Sequence, residues 1–306
     1  MSGSEKVAVL GGGLIGRSWA ALFRAAGKSV AIFDPDPATA DRFAHTWESA
    51  APVLDRLGLM KGAILDVEFC ADPVDTVAGA VFVQESVPER IPIKHDLYAL
   101  IEPALAPDSI VASSASGLTL SQLQPGWKDP SRFVLGHPFN PPHLIPLVEV
   151  MGNELTSPGV VAGARAFYES VGKVTIEVRR EVPGHVANRL QAALWREAIH
   201  LVNEGVASVE DVDRAVSSGP GLRWAVMGPT TLFHLGADEG GLAEFCRRYT
   251  DSFNTWWADL GTPMLNEDVV ALLVAGVATA VDGRSVDQMC AERDEVLTNV
   301  VAATHS

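Results

Sequence analysis

Residues 7–16 leave this chain few folds to choose from. A strand-like run, Val7-Ala8-Val9-Leu10, enters Gly11-Gly12-Gly13-Leu14-Ile15-Gly16 and continues directly into an Ala-rich helical stretch. Between a strand and a helix, the GxGxxG spacing has a physical reading. Gly11 permits the tight turn, Gly13 lets the backbone approach a pyrophosphate, and Gly16 lets helix and strand pack closely. Leu14 and Ile15 open the helix, whose free N–H groups and partial positive charge suit an anion. Asp34 follows the next strand candidate, Ser29–Phe33, at the distance the dinucleotide fingerprint requires. A carboxylate there accepts hydrogen bonds from both ribose hydroxyls and repels a 2′-phosphate. The residues after it, Pro35-Asp36-Pro37, include no arginine, so NAD is favoured over NADP. FAD shares the fingerprint, but nothing downstream resembles a flavin-ring site. The bland alternative is a glycine turn with no ligand and an Asp that merely caps the next helix.

The rest of the first half repeats the strand–helix alternation, with strand candidates at Ala80–Val83, Ser109–Ala112, Phe133–Leu135, Pro146–Val150 and Val174–Val178. Such alternation demands a doubly wound, mainly parallel sheet of Rossmann type with helices on both faces. After Pro183-Gly184 the β signal stops. Helical segments follow, broken at Ser217–Gly221, Gly228-Pro229, Gly240-Gly241 and Gly261–Pro263, so residues 1–183 read as an α/β domain and 184–306 as an all-α domain. The apolar run Val269–Val281 is too short for the roughly 20 residues that span a bilayer and is expected as a buried helix. The stripe Val186, Leu190, Ala193, Leu194, Ala198, Leu201 and Val202 on the first helix of that domain needs a cover, as does a similar stripe on the last. Packing within the chain can supply one, and a homodimer through the helical domain is the expected cover.

Composition narrows the function classes. The 306 residues carry a formal charge of -15, a field that repels nucleic acid and anionic membranes alike. The cysteines, Cys70, Cys246 and Cys290, form neither a disulfide framework nor a metal-ligand cluster, and no export signal opens the chain, which points to a reducing, cytoplasmic setting without a bound metal.

In an open parallel sheet ligands gather beyond the carboxyl ends of the strands. Polar segments follow strand candidates at Gln84–Glu89, at Ser113-Ser114-Ala115-Ser116-Gly117 and at Gly136-His137-Pro138-Phe139-Asn140-Pro141. Glu149 is the lone charge inside the apolar strand Pro146–Val150, and a buried acid needs a partner. If the chain turns back at Pro141-Pro142, the strands of His137 and Glu149 become neighbours. The carboxylate then fixes one imidazole nitrogen and leaves the other to take a proton from an alcohol. The alternatives are a structural histidine, as His143 and His185 are read, and an edge-strand carboxylate facing water.

Six segments, VLGGGLIGRSWA, VQESVPERIPIK, SSASGL, GHPFNPPHLIPLVEV, PGHVANRL and GLRWAVMGP, together make the chain similar to the 3-hydroxyacyl-CoA dehydrogenase superfamily. The resemblance covers almost the whole chain and is to the branch containing lambda-crystallin, L-gulonate 3-dehydrogenase and L-carnitine dehydrogenase. It implies that His137 is the catalytic base and Glu149 its partner. It further implies that Ser116, Asn140 and Asn188 touch substrate or nicotinamide and that Glu89 and Lys94 line the cofactor. The implied reaction oxidises a 3-hydroxy group to a ketone as hydride passes to NAD+, with Ser116 and Asn188 donating hydrogen bonds to the reacting oxygen. Ser116 capping a helix, and Asn188 bonding its own backbone, are the plainer roles.

Many acyl-CoA members carry Ser-Ser where this chain has Ser116-Gly117 and lack Arg223-Trp224, which weighs against a CoA thioester. So does the sparse positive charge between Asp36 and Asp72. Arg223 suits a free carboxylate in a bidentate fork, or a surface ion pair; Trp224 and Phe233 suit a quaternary ammonium, or core packing. The expectation is an NAD-dependent dehydrogenase of a small polar 3-hydroxy acid of the carnitine or gulonate type. Its rivals are a short-chain 3-hydroxyacyl-CoA dehydrogenase and a non-catalytic, crystallin-like NAD-binding protein.

Overall fold

The computed structural model describes residues 4–304. Eight strands, β1 (Lys6–Leu10), β2 (Ser29–Phe33), β3 (Glu68–Cys70), β4 (Phe82–Glu85), β5 (Ile110–Ser113), β6 (Phe133–Pro138), β7 (Leu147–Met151) and β8 (Val174–Glu177), form one sheet in the order β3-β2-β1-β4-β5-β6-β7-β8. Neighbours from β3 through β6 are parallel, β7 is antiparallel to β6, and β8 is parallel to β7. The carboxyl ends of β1, β4, β5 and β6 therefore share one edge of the sheet.

Alternation along the strands divides the core in two. Val7, Val9, Phe82, Ala112 and Val134 face one layer, with Trp19, Phe23 and Tyr168; Ala8, Leu10, Val83, Val111 and Leu135 face the other, with Leu97, Tyr98 and Trp127. The helices α1 (Leu14–Ala25), α2 (Thr39–Arg56), α3 (Pro73–Val77), α4 (Ile91–Ile101), α5 (Leu120–Leu123) and α6 (Val160–Ser170) supply these layers. Two departures from the sequence pattern bear on the site. The strand signal ends at Val83, yet β4 continues through buried Gln84 and Glu85, whose side chains are satisfied by hydrogen bonds. The signal also ends at Leu135, yet β6 runs on to Pro138 and holds His137 inside the ladder. Edge strand β3 has no sequence signal, being three residues long with Glu68 and Phe69 exposed.

The remainder is helical: α7 (Ala187–Asn203), α8 (Val209–Ser218), α9 (Pro220–Val226), α10 (Pro229–Leu235), α11 (Gly241–Asp259), α12 (Glu267–Val281) and α13 (Val286–Thr304). The chain divides into two compact units. Residues up to Ala187 together with Leu297–Ala302 form the first, and Asn188–Val296 the second. The expectation that Val269–Val281 is a buried helix is corrected. Val270, Leu272, Val274 and Val277 of α12 are exposed and only Val269 is buried, because a helix apolar on every side is covered on one side alone within a single chain. No single helix among the described residues is long and apolar enough to cross a membrane.

Candidate active site

The glycine turn connects β1 to α1. Gly11 has φ +95, and a Cβ there would lie 2.7 Å from the Ser86 carbonyl, so only glycine fits. A Cβ on Gly16 would fall 1.7 Å from the Gly11 oxygen, which is the close helix–strand approach in atomic form. Gly13 differs: its Cβ would meet nothing within 4 Å. The turn thus leaves an open cradle above Gly13, at the start of a helix that no side chain caps and that has no acid in its first turn. Leu14 is exposed there and Ile15 packs against the core. These features fit a pyrophosphate. Asp34 Oδ2 accepts the Gly12 N–H at 2.6 Å, and Asp34 lies on a cavity of about 310 Å³ lined also by Ile32, Pro35, Asp36, Thr39 and Phe69. A ribose and an adenine match that volume and that mixture of acid and apolar wall.

On the same sheet edge, antiparallel register sets His137 of β6 directly opposite Glu149 of β7. His137 Nδ1 lies 2.8 Å from Glu149 Oε2, and Glu149 Oε1 accepts the N–H groups of Val186 and Ala187, both at 2.9 Å. Both side chains are buried, at 5% and 0% exposure. Burial by itself raises the Glu149 carboxyl, but the His137 ring and the Ala187 and Val186 N–H groups outweigh it and hold the acid below its ordinary range. An ionised Glu149 draws the His137 proton to Nδ1, which leaves Nε2 as an acceptor. Buried His185, with φ +50, places its ring 5.4 Å from that of His137; burial, then His137, lowers its pKa.

Glu89 organises the turn after β5. It accepts the N–H groups of Ser116 and, at 2.9 Å, Gly117, and the Ser116 hydroxyl at 3.2 Å. Burial raises this carboxyl, the Gly117 and Ser116 N–H groups and the Ser116 hydroxyl then lower it, and its pKa ends below the ordinary value. Ser116 is half-buried in this contact. It is not a helix cap: α5 begins after Thr119, whose side chain accepts the Gln122 N–H. Asn140 is exposed just past β6.

Lys94, which the family resemblance places beside the cofactor, is held from within the sheet. Its ammonium is buried, 2.5 Å from Glu85 Oε1 and 3.2 Å from the Val87 carbonyl, because the chain carries Glu85 into the sheet and that acid must be matched. Glu85 also accepts from Tyr98 at 2.7 Å, Ser113 at 2.6 Å and the Val87 N–H at 2.8 Å. The neighbouring Gln84 accepts from Tyr168 at 2.6 Å and donates to Ser114 at 2.8 Å. This network pins the loop after β4 beside Gly11, and no motif in the sequence announces it. A second unannounced support is buried Lys173. It donates to the Pro142 carbonyl and to that of Ile145 at 2.6 Å, sits 5.0 Å over the Trp19 ring, and is lowered by burial to about 7. It ties down the β6–β7 loop, as does Ser18, which bonds both the ring and the backbone N–H of His143.

In the helical unit, Asn188 lies in the first turn of α7, while Arg223 and Trp224 are exposed on α9. Arg223 has no ion pair among the described residues. Phe233 stacks 4.6 Å from Phe245 and packs edge-on to Phe253. Among the described residues no His, Cys, Asp and Glu group could hold a metal ion.

Residues 6–182 match the family model described as 3-hydroxyacyl-CoA dehydrogenase, NAD binding domain, and residues 184–270 match 3-hydroxyacyl-CoA dehydrogenase, C-terminal domain. An L-carnitine dehydrogenase of Streptomyces coelicolor is 47% identical over 98% of this chain and 95% of its own length. Another of that name from Oceanobacillus iheyensis is 38% identical over 97% of each. Among solved structures, the NAD+-dependent dismutase 5-formyl-3-hydroxy-2-methylpyridine 4-carboxylic acid 5-dehydrogenase superposes with a TM-score of 0.84 at 34% identity, over 99% of this chain and 100% of that one.

Proposed function

This chain belongs to the 3-hydroxyacyl-CoA dehydrogenase family and is an NAD-dependent oxidoreductase; on that premise we propose that it oxidises the 3-hydroxy group of a small polar hydroxy acid, of the L-carnitine type, to the 3-keto acid. The observation that carries the reaction is the His137–Glu149 contact of 2.8 Å at the carboxyl edge of the sheet that bears the glycine turn. The substrate type rests on the near full-length likeness to L-carnitine dehydrogenases and on an Arg223 with no ion pair among the described residues.

Bound NAD+ supplies the hydride acceptor. In this reading Asp34 takes the ribose hydroxyls and the Gly13 cradle and α1 N-terminus take the pyrophosphate. His137 Nε2 removes the hydroxyl proton, and ionised Glu149 fixes the tautomer and stabilises the imidazolium. Asn188 and Ser116 donate to the oxygen as its charge changes, the Ser116 hydroxyl turning its one proton from Glu89 to the substrate, and Asn140 orients substrate or nicotinamide. Arg223 holds the carboxylate and Trp224 offers a ring face to a quaternary ammonium. We assign the cofactor and the dyad to residues 1–183, and substrate binding and homodimer formation through the helical domain to 184–306, in a cytoplasmic enzyme. The formal charge of -15 argues against nucleic acid or an anionic membrane as partner.

The test is NAD+ reduction with L-carnitine, L-gulonate and 3-hydroxybutyryl-CoA. L-Carnitine should turn over fastest; rapid oxidation of the thioester without free-acid activity overturns the substrate reading. Arg223→Met should raise KM for the free acid about tenfold or more, and an equal rise for the thioester would remove the residue's assigned role.

A further inference from the structure

Selectivity between a free ribose and a 2′-phosphate is usually read from the acid at the end of β2 and the presence or absence of an arginine beside it. Here the acid is Asp34, and the next residues contain no arginine. Folding nevertheless brings one to the site. Helix α2 starts at Thr39, so Arg42, one turn on, lies on the same face as Thr39, a residue that lines the cavity. Its Nη2 donates to Thr39 Oγ1 at 3.3 Å and its Nη1 lies 2.9 Å from Asp36 Oδ2. Thr39, Asp36 and Asp34 all line the cavity below.

Asp36 is well placed to keep that guanidinium. Its own N–H donates to Asp34 Oδ1 at 2.9 Å, and its Oδ1 accepts the Ala38 N–H at 2.9 Å, which turns Oδ2 toward Arg42. The Ala38 N–H and then Arg42 hold the Asp36 carboxyl below its ordinary range, so it stays charged at neutral pH. A second cation stands nearby. Arg17, in the first turns of α1, is lowered by burial and then by the Arg42 charge, and it has no ion pair among the described residues.

We propose that Asp36 is a specificity-determining residue of the cofactor site: it sequesters Arg42, which would otherwise pair with a 2′-phosphate, and so adds to the repulsion exerted by Asp34. At the end of β2 the local charge, two acids against an arginine already paired, then disfavours NADP(H) twice, and Arg17 of α1 is the remaining cation near Arg42. Removing the Asp36 charge both deletes a repulsion and releases a planar donor fork suited to phosphate. The inference rests on the adenosine end of NAD lying in the Asp34 cavity, and NADH binding to the unaltered chain tests that separately.

The experiment is equilibrium binding of NADPH, NADH and 2′,5′-ADP to the full chain, by tryptophan quenching for the dinucleotides and calorimetry for the fragment. It is done in an Asp34→Ser background so that the first acid does not mask the second. Adding Asp36→Asn should tighten NADPH and 2′,5′-ADP about tenfold, with NADH changed less than about threefold. Adding Arg42→Met to that pair should abolish the gain. No gain from Asp36→Asn overturns the proposal, and so does a gain that survives Arg42→Met, since loss of negative charge alone would then explain it. If the unaltered chain failed to bind NADH, the cofactor placement itself would fall instead.

Discussion

Replacing Glu149 by glutamine isolates what the carboxylate does for His137 from what it does for the fold. The two backbone donors, Val186 and Ala187 at 2.9 Å, both point at Oε1 and would pin the new amide oxygen in that place. The amide NH2 is then forced to face His137 Nδ1, where the carboxylate oxygen now lies at 2.8 Å. A donor facing a donor cannot persist, so the ring moves its proton to Nε2 and loses the acceptor that an alcohol needs. Loss of the carboxylate charge adds to this. A unit charge pair about 4 Å apart at an effective dielectric near 20 is worth roughly 4 kcal/mol, or about a thousandfold in rate when the imidazolium develops. Glu149→Gln should therefore lower kcat for NADH formation about a thousandfold, with KM for NAD+ nearly unchanged and a melting temperature close to the parent. A variant that stays within threefold of the parental kcat while folding normally would refute the assignment of His137 as a base oriented by Glu149.

Other expectations follow from the same geometry. Gly13→Val places branched carbons in a cradle that is open beyond 4 Å, so the chain should fold with an unchanged melting temperature and lose NADH binding by about a hundredfold; retained affinity would move the pyrophosphate elsewhere. Lys94→Met leaves Glu85 charged and buried without its ammonium and should cost about 3–5 kcal/mol in denaturant unfolding, whereas Lys94→Met with Glu85→Leu should recover part of that loss. Stability should also decline on acidification. His185 has a folded pKa depressed below 6.5, so its contribution is complete above 6.5 and lost as the pH falls toward the folded value. Glu149 and Glu89, both depressed below 4.5, add a second loss below that pH. Urea midpoints from pH 8 to pH 4 test this, and a midpoint that rose on acidification would contradict the assigned directions.

The sequence made the cofactor turn legible because each of its demands is local: a positive φ at Gly11, a contact at Gly16, an acid closing the next strand. It made the His137–Glu149 neighbours legible for a different reason. A proline-rich reversal between two short apolar runs leaves antiparallel pairing as the economical outcome, and one acid in an apolar strand must find a partner. What it hid depends on burial. Gln84 and Glu85 read as the polar end of β4, since propensity alone stops a strand where charge begins, yet the structure continues the strand because Lys94 and Tyr98 of α4, Ser113 of β5 and Tyr168 of α6 satisfy them.

Arg42 illustrates the limit sharply. Counting residues after Asp34 finds no arginine at the ribose, because adjacency in sequence is the wrong measure once a helix begins. From Thr39 onward each turn brings a residue back over the same face, so the cation relevant to a phosphate at Asp34 is the one a turn into α2, reached through Thr39 and Asp36. Whether such an arginine serves or is withheld then depends on a single neighbouring carboxylate. The cofactor fingerprint therefore states which nucleotide fits the strand end, while the first turn of the following helix determines how firmly the other is refused.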